Sequence, residues 1–419
     1  MATRTCLKRV DLAPKARACL EWVPGGSLRA PIYLDYHATT PVDPRVFDAM
    51  RPYFTEHFGN AASRSHSFGL RAEAAVGAAR EAVAEALGAN PKEIVFTSGA
   101  TEANNLAILG AARAARPKGE HIVVSAAEHR AVLDPCRQLE TEGFRVTIVA
   151  PDRFGATAAG AIAETLTDRT ILVSVMTANN EIGTLNPVAG IGRLCKERGI
   201  LFHTDAVQAF GKVPFDVNTA GADLVSVSAH KICGPKGAGA LYVRSVNPRV
   251  ALVPLQFGGG HERGLRSGTL DVPSLVGFGS AARIAMAERD AEAARVGALR
   301  DRLFERLGSE LPEVSLNGPR EGRLSGNLNV RFAGVASDAL MMGVRDVAVS
   351  SGSACTSASA EPSHVLLSIG LSKSEAHESI RFGLGRFTTA EEVERAADLF
   401  VVAVGTLRES SPAWQLRHA

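Results

Sequence analysis

Residues 224–241 read LVSVSAHKICGPKGAGAL, and the fold follows from how this stretch has to be laid out. Leu224-Val225-Ser226-Val227-Ser228 is an apolar, β-branched run, the pattern of a buried strand. Gly234-Pro235-Lys236-Gly237-Ala238-Gly239 is turn-forming and excludes helix, and Ala240-Leu241-Tyr242-Val243 predicts a second strand. Lys231 falls between the two. A lone lysine near a strand end is most often a solvated loop residue. Held between core strands, its ammonium is costly to bury unless it is paired or neutralised. One use that suits such a place is a Schiff base with an aldehyde cofactor, for which the amine must be held close and desolvated.

Outward from this stretch the pattern is regular. Strands are expected at 32–35, 93–96, 121–124, 145–149, 171–176 and 201–203, and helices at 44–53, 71–87, 101–115, 132–142 and 187–198. That alternation predicts an α/β fold built on a doubly wound, mostly parallel sheet. Residues 275–311 carry apolar positions at helical spacing with no proline until Pro312, and are expected to connect two domains. Strands at 327–332 and 347–349 and a helix at 390–407 predict a smaller α+β domain. The expected division is a poorly ordered extension at 1–30, a large domain at 31–289 and a small domain at 290–419, with 31–45 packing against the small one.

Composition narrows the function. The chain has 419 residues, 46% hydrophobic and 21% charged, ordinary for a globular protein. Its 46 basic and 44 acidic residues nearly cancel, so bulk charge gives no reason to expect nucleic-acid or membrane-surface binding. No apolar run of about eighteen residues predicts a transmembrane helix. Cysteines stand at 6, 19, 136, 195, 233 and 355 without a CxxC pair. This argues against a disulfide framework, excludes a zinc site built from cysteine pairs, and fits a reducing compartment, the cytoplasm. Neither GxxxxGK[ST] nor GxGxxG follows a strand, which removes the common nucleotide-binding readings.

In an open α/β sheet, ligands bind beyond the carboxyl ends of the strands. Those positions read Ser98-Gly99-Ala100-Thr101-Glu102, Glu128-His129-Arg130, Asn179-Asn180-Glu181, Thr204-Asp205-Ala206-Val207-Gln208 and Ser228-Ala229-His230-Lys231. Each alone has an ordinary explanation: an N-cap, a surface histidine, a turn residue. Together they supply a helix start with a hydroxyl, suited to a phosphate, an imidazole, amides, a carboxylate and a lysine. A carboxylate for a pyridine nitrogen and a lysine for a Schiff base are the protein side of pyridoxal-phosphate chemistry. Residues 350–359, SSGSACTSAS, set Cys355 in a run of small polar residues, where a structural cysteine is not usually found. It is a candidate nucleophile; on this loop alone, a serine-rich linker with an incidental cysteine is an equal reading.

These segments resemble the cysteine desulfurases, in the class-V aminotransferase family, of the housekeeping iron–sulfur assembly type with an extended catalytic loop. The matching pieces are YLDYHATTPVDPRV (33–46), GNAASRSHSFG (59–69), FTSGATEANNLAI (96–108), AEHRAVLD (127–134), NNEIG (179–183), HTDAVQAFGK (203–212), SAHKICGPKGAGALYVR (228–244), GGGHERGLRSGT (258–269), SSGSACTSAS (350–359) and SIRFGLGRFTT (379–389). They run in order over nearly the whole chain.

The resemblance implies an aminotransferase-like, fold type I large domain with a smaller companion, and pyridoxal 5'-phosphate as cofactor. It implies that Lys231 carries the cofactor and moves protons at the substrate Cα. Asp205 would pair with the pyridine nitrogen, Gln208 with the ring hydroxyl, and His129 would stack on the ring and assist proton transfer. Ala100, Thr101, Ser228 and His230 would hold the phosphate, with Thr269 from the second subunit of a homodimer. Asn180 would lie beside ring and substrate, and Arg381 would take the carboxylate of L-cysteine. Cys355 would leave as a persulfide, releasing L-alanine and passing sulfur to an iron–sulfur scaffold or another acceptor such as a tRNA-thiolation protein. No metal site is expected, beyond Cys355 transiently ligating an iron–sulfur cluster with a partner, and neither nucleic acid nor membrane is bound directly. Two departures stand out. Cys233 replaces a tyrosine common in relatives, and the tail after 412–414 is shorter than in many, which bears on scaffold docking. The alternatives are another pyridoxal-phosphate lyase or aminotransferase, such as a selenocysteine lyase, and a non-catalytic sulfur-relay partner. Transamination has no need of Cys355, and a relay that had lost catalysis has no need of Lys231.

Overall fold

Seven short strands make one sheet in the order β2-β8-β7-β6-β5-β3-β4: β2 Ile94–Thr97, β3 His121–Ser125, β4 Arg145–Val149, β5 Thr170–Ser174, β6 Leu201–Asp205, β7 Leu224–Ser228 and β8 Gly239–Val243. Only β8 runs against its neighbours, so the expected mostly parallel sheet is present. These details come from a computed structural model that describes residues 31–351 and 361–418. The extension at 1–30 and Cys355 lie outside the described residues.

The strands inside the β4 edge are buried because both faces are covered, and most of them read as apolar runs. Val123, Val225, Val227, Ala240 and Tyr242 pack with helices Ser67–Leu87, Val188–Arg198 and the first half of Val272–Glu310. Their alternate neighbours Ile122, Val124, Leu241 and Val243 face helices Ala100–Ala115 and Arg130–Thr141. A second core joins a three-stranded antiparallel sheet, β12-β10-β9, to helix Ala390–Glu409. The strands are β9 Val314–Asn317, β10 Asn327–Phe332 and β12 Ser379–Gly383. Leu328, Val330, Phe382 and Phe400 fill this core, the last two rings with centroids 4.7 Å apart. The 39-residue helix Val272–Glu310 serves both: Phe278 and Ala281 in the first core, Leu303 and Leu307 in the second.

Several element ends differ from expectation for identifiable reasons. The helix expected at 44–53 breaks into Pro44–Met50 and Pro52–Thr55, since a proline inside a helix removes an N–H and clashes with the preceding turn. The helix expected from 71 begins at Ser67 because His66 Nδ1 accepts the Gly69 N–H at 3.1 Å and caps it. Glu93 belongs to a capping box with Asn90 and not to β2. The first strand shortens to β1 Ile32–Tyr33, paired in parallel with β11 Val347–Ala348.

Candidate active site

Residues just beyond β2, β3, β5, β6 and β7 line one cavity of about 550 Å³. Ala100, Thr101, His129, Asn180, Asp205, Gln208, Ser228, His230, Lys231 and Arg381 all border it. Thr269 is exposed and is not part of its lining.

Lys231 ends a single 3₁₀ turn, Ala229–Lys231, that follows β7 directly. The turn is closed by the Ile232 and Gly234 N–H groups, both donating to the Ala229 carbonyl at 3.0 Å. Lys231 Nζ donates to the carbonyls of His37 and Ala38, each at 2.6 Å. Asp205, at the end of β6, is buried. Its Oδ2 accepts from Asn104 Nδ2 at 2.7 Å and its Oδ1 from the Val207 N–H at 3.0 Å, so both oxygens are oriented before any ligand arrives. His129 caps helix Arg130–Thr141, with Nδ1 accepting the Ala131 N–H at 3.0 Å. A neutral ring therefore carries its proton on Nε2.

Helix Ala100–Ala115 has Gly99 at its N-cap and no side-chain cap. Its first-turn N–H groups and the positive end of its dipole are thus open to an anion at the cavity. The approach depends on Gly239: a Cβ there would lie 2.6 Å from Gly99 Cα. His230, beside Ser228, is held down to about 3 by burial and by the neighbouring Lys231, Lys236 and Lys212. It is a neutral hydrogen-bonding group, with Nδ1 3.2 Å from Thr39 Oγ1.

Arg381 comes from β12 of the other sheet and is fully buried. Its Nη2 donates to Asp35 Oδ1 at 2.9 Å and to Ser350 Oγ at 3.2 Å, and its Nη1 to the Asn180 carbonyl at 3.1 Å. Its Nε finds no hydrogen-bond partner among the described residues.

Four contributors carried no role in the sequence reading. Asn104 fixes Asp205, and its signal was an amide among alanines on a helix face that is otherwise buried. Asp35 and His37 sit in the 33–46 segment; His37 is buried with Nε2 unpartnered among the described residues. Glu181 is buried on the cavity wall, accepts a short hydrogen bond from Ser363, and is pushed up to about 7 by desolvation. Nothing in the sequence separates it from a solvated turn residue.

The donor set fits pyridoxal phosphate: an uncapped helix start with Thr101, Ser228 and neutral His230 for a phosphate, a braced carboxylate for a ring nitrogen, and a half-buried amine held by two carbonyls. The family profile described as Aminotransferase class-V matches residues 32–396. The cysteine desulfurase IscS of Anaeromyxobacter dehalogenans is 59% identical over 389 residues, covering 93% of this chain and 96% of that protein. The chain belongs to the class-V aminotransferase family, among its cysteine desulfurases. The IscS of Rickettsia conorii is 52% identical over 390 residues, 93% of this chain and 95% of that one. Among solved structures, a NifS-like protein superposes with a TM-score of 0.83 at 35% identity, over 90% of this chain and all of that one. SspA in complex with cysteine gives 0.76 at 39% identity, over 85% and 100%. The expected fold type I architecture of this pyridoxal-phosphate-dependent family is the observed one.

Among the described residues no group of His, Cys, Asp and Glu is arranged to hold a metal ion, and no helix is long and apolar enough to cross a membrane. The three described cysteines, Cys136, Cys195 and Cys233, are buried, and burial raises each thiol, the first two to about 12. That is the opposite of what a nucleophile needs.

Proposed function

We propose that this chain removes sulfur from L-cysteine, releases L-alanine, and carries the sulfur as a persulfide on Cys355. One observation carries the reading: a single cavity joins Lys231, Asp205, His129 and an open helix start to the buried guanidinium of Arg381, in a chain 59% identical to a cysteine desulfurase. Bound pyridoxal phosphate supplies an electron sink for bond breaking at the substrate carbons.

The residues divide the remaining work. Thr101, Ser228, His230 and the N–H groups from Ala100 onward hold the phosphate, joined by Thr269 of a second subunit. Asp205, braced by Asn104, holds the ring nitrogen, and Gln208 the ring oxygen. His129, on the cavity wall with Nε2 carrying the proton of its neutral imidazole, would stack on the cofactor ring and assist proton transfer. Arg381 and Asn180 orient the substrate carboxylate, a fork that fixes direction as well as charge. Lys231 Nζ moves the proton at Cα. The Cys355 thiolate attacks the substrate sulfur. An S–S bond forms, the Cβ–S bond breaks with its electron pair staying on carbon, and a proton delivered there completes alanine. The raised thiols of the described cysteines support assigning this role to Cys355.

A homodimer completes the site. The exposed pair Phe58 and Phe68, with ring centroids 5.4 Å apart, supports this, since exposed apolar contacts mark association surfaces. The persulfide passes to an iron–sulfur scaffold or another acceptor protein in the cytoplasm.

A single-turnover assay with cysteine under reductant tests the assignment. Cys355→Ala is expected to keep pyridoxal phosphate and to shift its absorption on adding cysteine, yet accumulate no persulfide; alanine at the wild-type rate would overturn the role of Cys355. Borohydride reduction and peptide mapping are expected to find the cofactor on Lys231, and label on Lys212 or Lys236 would overturn that placement.

A further inference from the structure

Gln208 lines the main cavity and Lys212 a smaller one of about 40 Å³, and His37 and Lys231 border both. The Gln208 amide is held from behind. Gln208 Oε1 receives Lys212 Nζ at 3.2 Å and stands 3.0 Å from His37 Nδ1, while Nε2 donates to the His37 carbonyl at 3.0 Å. An ammonium only donates, so the atom facing Lys212 must be the amide oxygen. His37 Nδ1, facing the same oxygen, must then carry the ring proton. The amide nitrogen places one N–H on the His37 carbonyl and has a second to offer, on a side chain that lines the main cavity. A flipped amide would present oxygen there and repel an anionic oxygen, and the Lys212 ammonium opposes that flip together with the His37 carbonyl.

We propose that Lys212 is a positioning residue for the bound cofactor: acting through Gln208, it locks the amide so that an N–H, and not the carbonyl, meets the cofactor's ring oxygen. This rests on the pyridoxal-phosphate reading above. The charged and titratable groups around Lys212 are Tyr36, Cys233, Glu292, Arg289 and Arg386 on the small cavity, Lys231 and His37 bordering both cavities, and His230 within electrostatic reach.

The readout is the pH midpoint of the cofactor's visible band in holoenzyme without substrate. A donor on the ring oxygen and a nearby cation both favour the more negative, deprotonated form and hold the midpoint down. Lys212→Met is expected to raise it by about one pH unit, in the range that single hydrogen-bond and charge changes produce. Gln208→Leu should raise it similarly, the double variant should fall short of the sum, and Lys212→Arg should restore most of the wild-type midpoint. Circular dichroism checks that each variant is folded. If Lys212→Met does not fold, Lys212→Gln carries the comparison, with a smaller rise in the same direction. A folded Lys212→Met or Lys212→Gln that titrates like wild type, or additive effects in the double variant, would overturn the inference. Wild-type protein with no pyridoxal band at all would overturn the reading beneath it instead.

Discussion

Replacing Glu181 with glutamine should make the protein more stable at alkaline pH. The carboxyl is buried on the cavity wall. Ser363 donates to it, and Arg381, His129 and Arg130 act on it from a distance, but desolvation dominates and pushes it from 4.5 to about 7. The folded protein therefore binds this proton more tightly than the unfolded chain. The stabilisation is fully present below about pH 4.5 and is lost as pH rises through about 7. At 1.36 kcal/mol per pH unit, that gap corresponds to an upper value of about 3 kcal/mol. Glu181→Gln keeps the shape and still accepts from Ser363, without a charge to bury. Urea unfolding of holoenzyme at pH 5, 6, 7 and 8 should show the two proteins alike at pH 5, with the variant ahead by up to about 3 kcal/mol at pH 8. Parallel curves across the range, or a variant that loses ground as pH rises, would refute the assignment of this buried acid.

Further perturbations separate the parts of the site. Arg381→Lys keeps the charge and loses the fork, so KM for cysteine should rise by roughly ten- to a hundredfold while the visible band persists; a change confined to kcat would argue against carboxylate recognition. Gly239→Ala places a Cβ 2.6 Å from Gly99 Cα, and should lower the melting temperature by the equivalent of about 1–3 kcal/mol and weaken cofactor affinity in equilibrium dialysis. Cys233→Ala should keep most alanine release, because burial raises that thiol and the residue serves packing; loss of persulfide in this variant alone would name the wrong nucleophile.

The large sheet was legible because most of its strands are buried on both faces, rich in apolar residues and short enough to be bounded by turn residues. The second sheet was half legible. β10 announces itself with Leu328, Val330 and Phe332. β9 and β12 escaped because their inward positions include Asn317, Ser379 and Arg381, joined in part by hydrogen bonds from Asn317 Nδ2 to Asn329 Oδ1 and Ser379 Oγ. A buried polar ladder reads as a loop in any apolar periodicity. The cavity-lining residues of the large sheet could be read from one rule, that ligands meet the carboxyl ends of strands, whereas Arg381, from β12, came from the family resemblance. The groups that brace these residues could not be read from that rule. Asn104 meets Asp205 across elements far apart in sequence, and Lys212, four residues after Gln208, meets its amide only through the way the turn after β6 folds back.

The spacing between the cofactor lysine and the substrate arginine is set by atoms that carry no sequence signal. Lys231 is tied to the carbonyls of His37 and Ala38. Thr40 donates its N–H and its hydroxyl to the His230 carbonyl, at 3.1 and 2.9 Å. A few residues earlier, the same segment pairs with the strand of Arg381. The Gly383 N–H donates to the Leu34 carbonyl at 2.7 Å, and the Tyr36 N–H to the Gly383 carbonyl at 3.1 Å. Gly383 has to be glycine for this, since a Cβ would lie 2.7 Å from the Tyr36 nitrogen. On the opposite wall, the carbonyls of Asn180, Glu181 and Ile182 accept from Arg381, from Asn327 and Asn329, and from Arg323. Two turns, 34–40 and 180–182, thus fix Arg381 against Lys231 largely through main-chain groups that any residue would supply. Side chains of the same turns add to this frame, with Asp35 accepting from Arg381 and the Thr40 hydroxyl donating to the His230 carbonyl. His37 lends the lysine its carbonyl and keeps its imidazole for Gln208.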